Sequence, residues 1–289
     1  MNDNHAAQRA LRRDKRRHWR KFAHKISLRL APFYQALYDA QMSRVFGGVR
    51  VVKHDLRLQR FPPDAPPLRV AFISDLHYGP TVGRLAPLQA WRSVRAARPD
   101  LLLLGGDYVY ADRRGLPELR RQLKQCHAPL GIYAIWGNHD QNHIEPLREI
   151  FAECGVRVLE NEAVSLPAPW HNIWLAGVDD DGAGDAQPQR ALSKVPSGAC
   201  TIFLAHAPGI YEMFPENECD LTLCGDTHGG QICLPNGTPF IGKKAFCYGY
   251  IAGLYRPHGQ WLFVSRGVGA VALPLRCFAP PDVAVLELS

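Results

Sequence analysis

Residues 68–77 read Leu-Arg-Val-Ala-Phe-Ile-Ser-Asp-Leu-His, an apolar run that stops abruptly at two side chains able to bind a metal ion, Asp75 and His77. A short run of branched and aromatic residues that ends in a polar turn is typical of a buried β-strand. The pattern therefore predicts a strand that presents functional groups at its carboxyl end.

The same arrangement recurs along the chain. Further apolar runs precede polar residues at Leu101–Leu104 (Asp107), Ile132–Trp136 (Asn138), Ile173–Val178 (Asp179 and Asp180), Thr201–Ala205 (His206) and Leu221–Cys224 (Asp226 and His228). Helix-like segments separate the early runs: Arg84–Ala97, Leu116–Cys126 and Ile144–Cys154. Because the carboxyl ends of neighbouring parallel strands meet at one edge of a sheet, we expect these polar side chains to converge.

The later part of the chain is richer in strand-like segments than in helices. Such segments lie at Tyr248–Ala252, Gln260–Ser265 and Val283–Leu288. We predict an α/β fold in which two β-sheets form a sandwich flanked by helices, four layers in all, rather than one open sheet.

The net charge of +7 is concentrated at the N-terminus: residues 1–30 hold ten basic and two acidic side chains, and residues 31–289 carry about −1. In residues 1–46, apolar side chains appear late, at helical spacing and with an expected break at Pro32. Residues 1–60 are predicted to be a basic arm with an amphipathic helix and a linker, and residues 61–289 to be the catalytic domain. Residues 1–45 are a predicted contact with an anionic membrane surface, the alternative being a solvated tail.

Two features indicate the compartment. The eight cysteines include no CxxC pair, which favours reduced, buried thiols over disulfides or a zinc ribbon. No run of about 18 apolar residues is present, so a membrane-spanning helix is not expected. We expect a cytoplasmic protein, peripheral on the inner face of the cytoplasmic membrane where the arm docks.

The polar residues at the predicted strand ends suit metal chemistry. They are carboxylates, imidazoles and one amide: Asp75, His77, Asp107, Asn138, His206, Asp226 and His228. Oxygen and nitrogen ligands without thiolates suit Mn²⁺, Fe, Zn²⁺ or Mg²⁺. A carboxylate can bridge two ions, and two ions about 3.5–4 Å apart can activate a water and stabilise a phosphoryl group. The set predicts a hydrolase that uses two divalent ions.

Five ordered blocks resemble the signature of the calcineurin-like metallophosphoesterases. They are Ser74-Asp-Leu-His77, Gly105-Gly-Asp107, Gly137-Asn-His-Asp140, Ala205-His206 and Gly225-Asp-Thr-His-Gly-Gly-Gln231. Val264-Ser-Arg-Gly267 and the region from Pro274-Leu-Arg276 to Pro281 resemble the bacterial branch with membrane-associated phosphodiesterases and the UDP-2,3-diacylglucosamine pyrophosphohydrolases of lipid A synthesis. The resemblance extends from about Leu68 to the C-terminus.

The resemblance implies a role for each matching position. One ion would be held by Asp75, His77, Asp107 and His228, and the other by Asp107, Asn138, His206 and residue 226, with Asp107 as the bridge. His139 would face the phosphorus, stabilise negative charge and protonate the leaving oxygen. The family's last block usually reads Gly-His-x-His, and here Asp226 replaces its first His. Asp226 is shorter than an imidazole and adds negative charge, so it should either favour Mn²⁺, Mg²⁺ or Fe over Zn²⁺ at the second site, with Mn²⁺ the expected metal, or weaken metal binding there.

For other polar residues and glycines near the blocks, the sequence is compatible with two roles each. Arg266 is a candidate contact for a substrate phosphate or a surface ion pair, and Gly229 and Gly230 could admit a phosphate to the backbone or form a tight turn. Asp179 and Asp180 either edge the active site or form an acidic turn. Three isolated histidines are predicted to be surface or rim residues: His143, His171 and His258.

The predicted function is hydrolysis of a phosphodiester or pyrophosphate bond by water activated between two metal ions. The branch implies an amphiphilic substrate such as UDP-2,3-diacylglucosamine. A nuclease or nucleotide phosphodiesterase is one alternative, but nucleic acid is not an expected partner because the basic charge stops before the catalytic body. A non-catalytic metal-binding scaffold is another, and His139 argues against it because a binding module does not need a general acid.

Overall fold

The computed structural model describes residues 28–213, 218–240 and 249–289 of the 289-residue chain. The strands of the first sheet, in spatial order, are β1 (Arg50–Leu56), β12 (Asp282–Leu288), β2 (Leu68–Ile73), β3 (Leu101–Leu104), β4 (Ile132–Ala134) and β5 (Val156–Val158). Those of the second are β10 (Gly253–Tyr255), β11 (Trp261–Val264), β9 (Leu221–Cys224), β8 (Cys200–Leu204), β7 (Ile173–Gly177) and β6 (Glu162–Ser165).

Parallel pairing dominates the middle of both sheets. β2 to β5 pair parallel in the first sheet, and β7, β8, β9 and β11 pair parallel in the second. The helices are α1 (28–44), α2 (Leu85–Ala97), α3 (Leu116–Leu123), α4 (Ile144–Glu153) and α5 (Pro188–Leu192). Because parallel strands share one direction, the loops that follow β2, β3, β8 and β9 emerge at the same end of the molecule.

The apolar runs divide between two sides of each strand. In β2, Val70 and Phe72 face the core between the sheets, whereas Ala71 and Ile73 pack in the cluster that contains the helices. The continuous Leu101–Leu104 run alternates in the same way. A third cluster covers the outer side of the second sheet. The predicted α/β sandwich flanked by helices is therefore confirmed.

The described part of the expected arm packs on the body. Tyr38 and Met42 of α1 are fully buried in the core cluster that contains the helices, and β1 is a full strand of the first sheet, parallel to β12. Residues 28–60 thus pack on the described residues that follow them, while residues 1–27 lie outside the described part of the chain. None of the described helices has the length and apolar content needed to span a bilayer.

Two local expectations were wrong. α1 is continuous through Pro32, since its packing on the body outweighs the one backbone hydrogen bond that a proline removes. The strand expected at Tyr248–Ala252 lies instead at Gly253–Tyr255, where it pairs with β11; residues 249–252 form a turn and an irregular segment. Residue 248 lies outside the described residues.

Candidate metal centre

The polar residues predicted at the strand ends converge at one end of the sandwich. Asp75 and His77 follow β2, and Asp107 follows β3; from the second sheet, His206 follows β8, and Asp226 and His228 follow β9. Three overlapping triplets have ligand atoms within 4.8 Å of one another: Asp75, His77 and His228; His77, Asp107 and His139; Asp75, Asp107 and His206. We call these six residues the metal cluster.

The backbone adopts an unusual conformation at this cluster. Five of the predicted ligands have left-handed φ angles, at 53° for Asp75, 46° for His77, 55° for Asp107, 62° for Asp226 and 52° for His228. Residues other than glycine rarely adopt this region, and such strain concentrates at functional sites. Here it lets a strand turn sharply and aim a side chain back over the sheet edge.

Glycines permit the close approach of the loops. A Cβ added at Gly137 would lie 2.2 Å from Asp107 Oδ1, and one added at Gly267 would lie 2.5 Å from Asp75 Cβ. These positions explain why small residues flank the polar blocks.

Asp107 lies at the centre of the cluster. Its Oδ2 atom is 3.3 Å from His77 Nε2 and 3.2 Å from His206 Nε2, and its Oδ1 atom accepts the backbone N–H of His139 at 2.8 Å. Two imidazoles from different sheets thus approach the same carboxylate oxygen.

A second group surrounds Asp75. Its Oδ1 atom is 3.7 Å from His77 Nε2 and 3.5 Å from His228 Nε2, and those two imidazole nitrogens are 2.9 Å apart. The backbone N–H of Asp226 also donates to Asp75, at 3.2 Å. Asp75, His77 and His228 are all buried.

The position of the ring proton on His206 indicates that this cluster suits a cation. Its Nδ1 atom lies 2.8 Å from the carbonyl oxygen of Gly105, which can only accept, so Nδ1 carries the proton. The neutral ring then directs the Nε2 lone pair at Asp107 Oδ2, 3.2 Å away, and Nε2 has no hydrogen-bond partner among the described residues. A lone pair that faces a carboxylate needs a proton or a metal ion between them, so the residues fit a divalent cation.

The electrostatics lead to the same conclusion. Burial raises the pKa of Asp75 and of Asp107, but the neighbouring histidines outweigh it and lower both pKa values. For His206 burial lowers the pKa, yet the charge of Asp107 raises it well above its usual value. Without a metal ion, protons supply the missing positive charge, and metal binding is expected to displace them.

His139 occupies a different position from the other imidazoles. Its ring is 5.1 Å from the ring of His77 and 5.1 Å from that of Tyr110, both edge to face. Burial lowers the pKa of His139 to about 4, and Asp107 offsets this only in part. The resting imidazole is therefore neutral at neutral pH.

The two remaining predicted ligands lie at the rim of the cluster. Asp226 has a side chain that is 30% exposed, and its Oδ1 atom is 3.9 Å from His206 Nε2. Asn138 is exposed, and it lies between Gly137 and His139, both of which contact Asp107.

Asp140 ends the Gly137-Asn-His-Asp140 block, and the sequence predicted no role for it. It is fully buried, and its carboxylate accepts the backbone N–H groups of Asp107 (2.7 Å), Tyr108 (2.9 Å) and Gly137 (2.9 Å). Burial and the charge of Asp107 raise the pKa of Asp140 to about 8, although the backbone N–H groups of Gly137 and Tyr108 lower it in part. Asp140 therefore holds the Asp107 loop in place. Its position in the Gly-Asn-His-Asp block was the available signal.

Arg276 is the second residue that sequence reasoning left without a role. Its side chain is fully buried and donates to four backbone carbonyls, of Arg266, Gly269, Ala279 and His228. Its Nη2 atom also lies 3.4 Å from His228 Nδ1. Arg276 thus joins the loop that contains His228 to the loops before β12.

The candidate substrate contacts are occupied by internal interactions. Arg266 pairs with the buried Asp282 at 3.3 Å. The N–H of Gly229 donates to Thr227 Oγ1, and that of Gly230 donates to the Thr227 carbonyl. Both glycines have left-handed φ angles, 60° and 82°. The geometry favours the tight turn for Gly229 and Gly230 and the ion pair for Arg266.

The acidic pair after β7 forms a turn. Asp180 is buried and accepts the backbone N–H groups of Gly182 and Ala183, and Asp179 accepts that of Asp185. Burial raises the pKa of Asp180, and His206 lowers it, so the turn borders the cluster. Of the isolated histidines, His171 and His258 are exposed and His143 is partly buried.

The chain is similar to a known protein family and to individual proteins. The family model of the calcineurin-like phosphoesterases matches residues 68–230. Phosphodiesterase YaeI of Escherichia coli is 34% identical over 260 residues, which is 84% of this chain and 89% of that protein. The uncharacterized protein YpbG of Bacillus subtilis is 29% identical, over 91% of this chain and 98% of its own length. Among solved structures, Thermus thermophilus sulfate thiohydrolase SoxB aligns with 78% of this chain and 57% of its own, at 15% identity and a TM-score of 0.45.

Proposed function

The chain belongs to the calcineurin-like phosphoesterases and is a metal-dependent phosphoesterase, and we propose that it cleaves a phosphodiester or pyrophosphate bond with two divalent ions. One ion is assigned to Asp75, His77, Asp107 and His228. The other is assigned to Asp107, Asn138, His206 and Asp226. The observation behind this assignment is the approach of His77 and His206 to the same Asp107 oxygen, at 3.3 and 3.2 Å.

Ions bound at such a cluster supply Lewis acidity to the phosphoryl oxygens and lower the pKa of a water molecule. The protein's own residues orient the reaction. Asp140 holds the Asp107 loop through three backbone N–H groups, and Arg276 holds the His228 loop through buried carbonyl contacts. The ligands are thereby fixed before substrate binds, which lowers the cost of reorganisation during the reaction.

His139 is assigned the part of general acid. It is neutral at rest because burial lowers its pKa to about 4, and a phosphoester bound beside the ring adds negative charge that raises this pKa. The protonated ring then stabilises the phosphoryl charge and gives its proton to the leaving oxygen. This role also argues for an enzyme rather than a metal-binding scaffold.

Mn²⁺ is the proposed metal. Asp226 supplies a carboxylate where a second imidazole is usual in the family, and hard oxygen ligands favour Mn²⁺, Mg²⁺ or Fe over Zn²⁺.

The proposed substrate is amphiphilic, with a lipid-linked diphosphate such as UDP-2,3-diacylglucosamine as the leading candidate. Two features support this. Residues 1–27 contain nine basic and two acidic side chains and are proposed to be the basic arm, and the α1 helix that follows exposes Leu30, Phe33 and Leu37. Basic side chains beside an apolar helix face suit an anionic membrane surface.

The experiment compares metal-stripped and Mn²⁺-reconstituted protein on bis(p-nitrophenyl) phosphate. His139→Ala is expected to lower kcat by about 10²-fold or more while the metal content stays unchanged, because the ring is assigned no ligand role. His171→Ala, which removes an exposed histidine, is the matched control and should retain full activity.

Unchanged turnover of His139→Ala would remove the general acid from the mechanism, and a loss of metal would make His139 a ligand. A panel of UDP-2,3-diacylglucosamine, simple diesters, nucleotides, DNA and RNA then identifies the substrate class. Preferential hydrolysis of nucleic acid would overturn the amphiphilic assignment.

A further inference from the structure

Exposed apolar side chains are concentrated on three segments of the described chain. Ten large hydrophobic side chains are exposed, and seven of them lie on α1 and on two loops near the metal cluster: Leu30, Phe33, Leu37, Leu234, Phe240, Leu273 and Phe278. Phe240 is 70% exposed, Phe33 64% and Phe278 58%. We call these seven residues the apolar rim. Exposed apolar side chains that lie together are a common feature of binding surfaces, whereas scattered ones need no explanation.

Hydrogen bonds join the three segments. The N–H of Cys277 donates to the carbonyl of Gln231 at 2.8 Å, and that of Cys233 donates to the carbonyl of Cys277 at 2.9 Å. Gln41 of α1 exchanges two hydrogen bonds with the backbone of Arg276, both at 2.8 Å. The three segments are therefore anchored to one another.

The apolar rim borders the metal cluster. Gln231 lies three residues after His228 and bonds to the carbonyl of Leu273. The N–H of Ala272 donates to the hydroxyl of Tyr110, and the Tyr110 ring is 5.1 Å from that of His139. Gly269, in the same loop, packs on the backbone of Asp75 and Leu76. A surface bound to the rim would thus lie next to the reacting group.

α1 divides its side chains between two surfaces. Ala31, Tyr38 and Met42 are buried against the body, and the exposed Leu30, Phe33 and Leu37 recur at the spacing of one helix face. The buried side attaches the helix to the body. On the outer side, Leu30 is 41% exposed, Phe33 64% and Leu37 41%.

We infer that the apolar rim is the surface on which this protein rests on an anionic bilayer, with the metal cluster beside the lipid headgroups. The inference rests on the proposed function and extends the membrane contact from the arm to the two loops beside the active site. The basic segment 1–27, with nine basic and two acidic residues, leads directly into α1 and supplies the charge complementarity. Phenylalanine and leucine side chains would enter the acyl boundary.

A bilayer in contact with the apolar rim would determine how a substrate reaches the metal cluster. A phosphoester attached to a lipid would reach the metal cluster while its acyl chains remain in the bilayer. Contact of the two loops with the bilayer, in addition to the arm, would fix the orientation of the metal cluster toward the headgroups. The two loops would therefore contribute to the turnover of a lipid substrate, in addition to any contribution from residues 1–27.

The test measures partition of the full chain onto vesicles of phosphatidylethanolamine and phosphatidylglycerol, with pure phosphatidylcholine vesicles for comparison. The rim variant is Phe240→Ser with Phe278→Ser, and the matched control is Val51→Ser with Leu85→Ser, which removes exposed apolar side chains elsewhere (41% and 38%). Loss of two inserted phenylalanines is expected to weaken partition about tenfold or more, and the control should partition as the unmodified chain does.

Hydrolysis of the water-soluble bis(p-nitrophenyl) phosphate and the midpoint of urea unfolding are measured on the same variants and should not change. Equal partition of the rim variant and the control would overturn the inference, as would failure of the unmodified chain to bind the anionic vesicles. A concentration-dependent dimer that the rim variant abolishes would assign the apolar rim to a second copy and overturn it also. Failure of the proposed function would show separately, as absence of metal-stimulated hydrolysis of the soluble substrate by the unmodified chain.

Discussion

At the scale of single residues, the metal cluster depends on backbone conformations that are costly outside glycine. Asp75, His77 and Asp107 all have φ angles near +50°, each of which costs on the order of 1–3 kcal/mol. Buried hydrogen bonds hold these conformations, among them the three N–H groups donated to Asp140. The chain thus accepts local strain to place oxygen and nitrogen ligands within reach of one another.

Asp226 is predicted to determine which metal ion the second site prefers. In Asp226→His, an imidazole replaces a carboxylate 3.9 Å from His206 Nε2 and removes one negative charge. We expect the affinity for Zn²⁺ relative to Mn²⁺ to rise by about tenfold or more. Competitive titration of the metal-free protein against a chelator measures this ratio.

The control for this prediction is Asp181→His, an exposed aspartate of the turn beside the cluster and the same change of charge. If both variants shift the ratio of affinities equally, Asp226 acts through long-range charge and is not a ligand.

The polar blocks were predictable from their motifs, whereas the roles of Asp140 and Arg276 were not. A motif gives the chemistry of a side chain, whereas their importance comes from burial against loops that are remote in sequence. Arg276 contacts carbonyls on residues 228, 266, 269 and 279. Only the folded arrangement of those loops shows that one guanidinium can bond to all of them.

At the scale of elements, α1 shows how packing overrides local preference. Pro32 predicts a break, but Tyr38 and Met42 bury one side of the helix, and Gln35 and Gln41 bond to the loops after β2 and before β12. The displaced strand β10 has a similar explanation, because its pairing with β11 sets its position rather than the apolar run before it. Strands with strong alternation or full burial, such as β3, were predicted to the residue.

The contact between α1 and the body can be tested at Tyr38. Its hydroxyl donates to the carbonyl of Val268 at 2.6 Å, in a fully buried position. Tyr38→Phe leaves that carbonyl unsatisfied and should lower the free energy of unfolding by about 1–3 kcal/mol. Urea denaturation measures this loss.

Tyr34→Phe changes a half-buried tyrosine of the same helix and is expected to be near neutral. Equal stabilities of the two variants would show that α1 does not depend on the Val268 contact for its attachment to the body.

At the scale of the whole molecule, the function follows from the parallel strands in the middle of each sheet. Their carboxyl ends emerge at one end of the sandwich. Asp75 Oδ1 and His228 Nε2 therefore lie 3.5 Å apart, although the two residues are more than 150 positions apart in the sequence. Alternation and strand-end chemistry were sufficient to predict this convergence. The part of the apolar rim on the two loops was beyond prediction from sequence, since it depends on which apolar side chains those loops leave exposed.

The most direct test of the central claim is anomalous diffraction from crystals of the full chain grown with Mn²⁺. We predict two manganese peaks per chain, both within coordination distance of the Asp107 carboxylate, with His77 and His228 beside one and His206 and Asp226 beside the other. A single peak, or two peaks that do not share Asp107, would contradict the two-metal account.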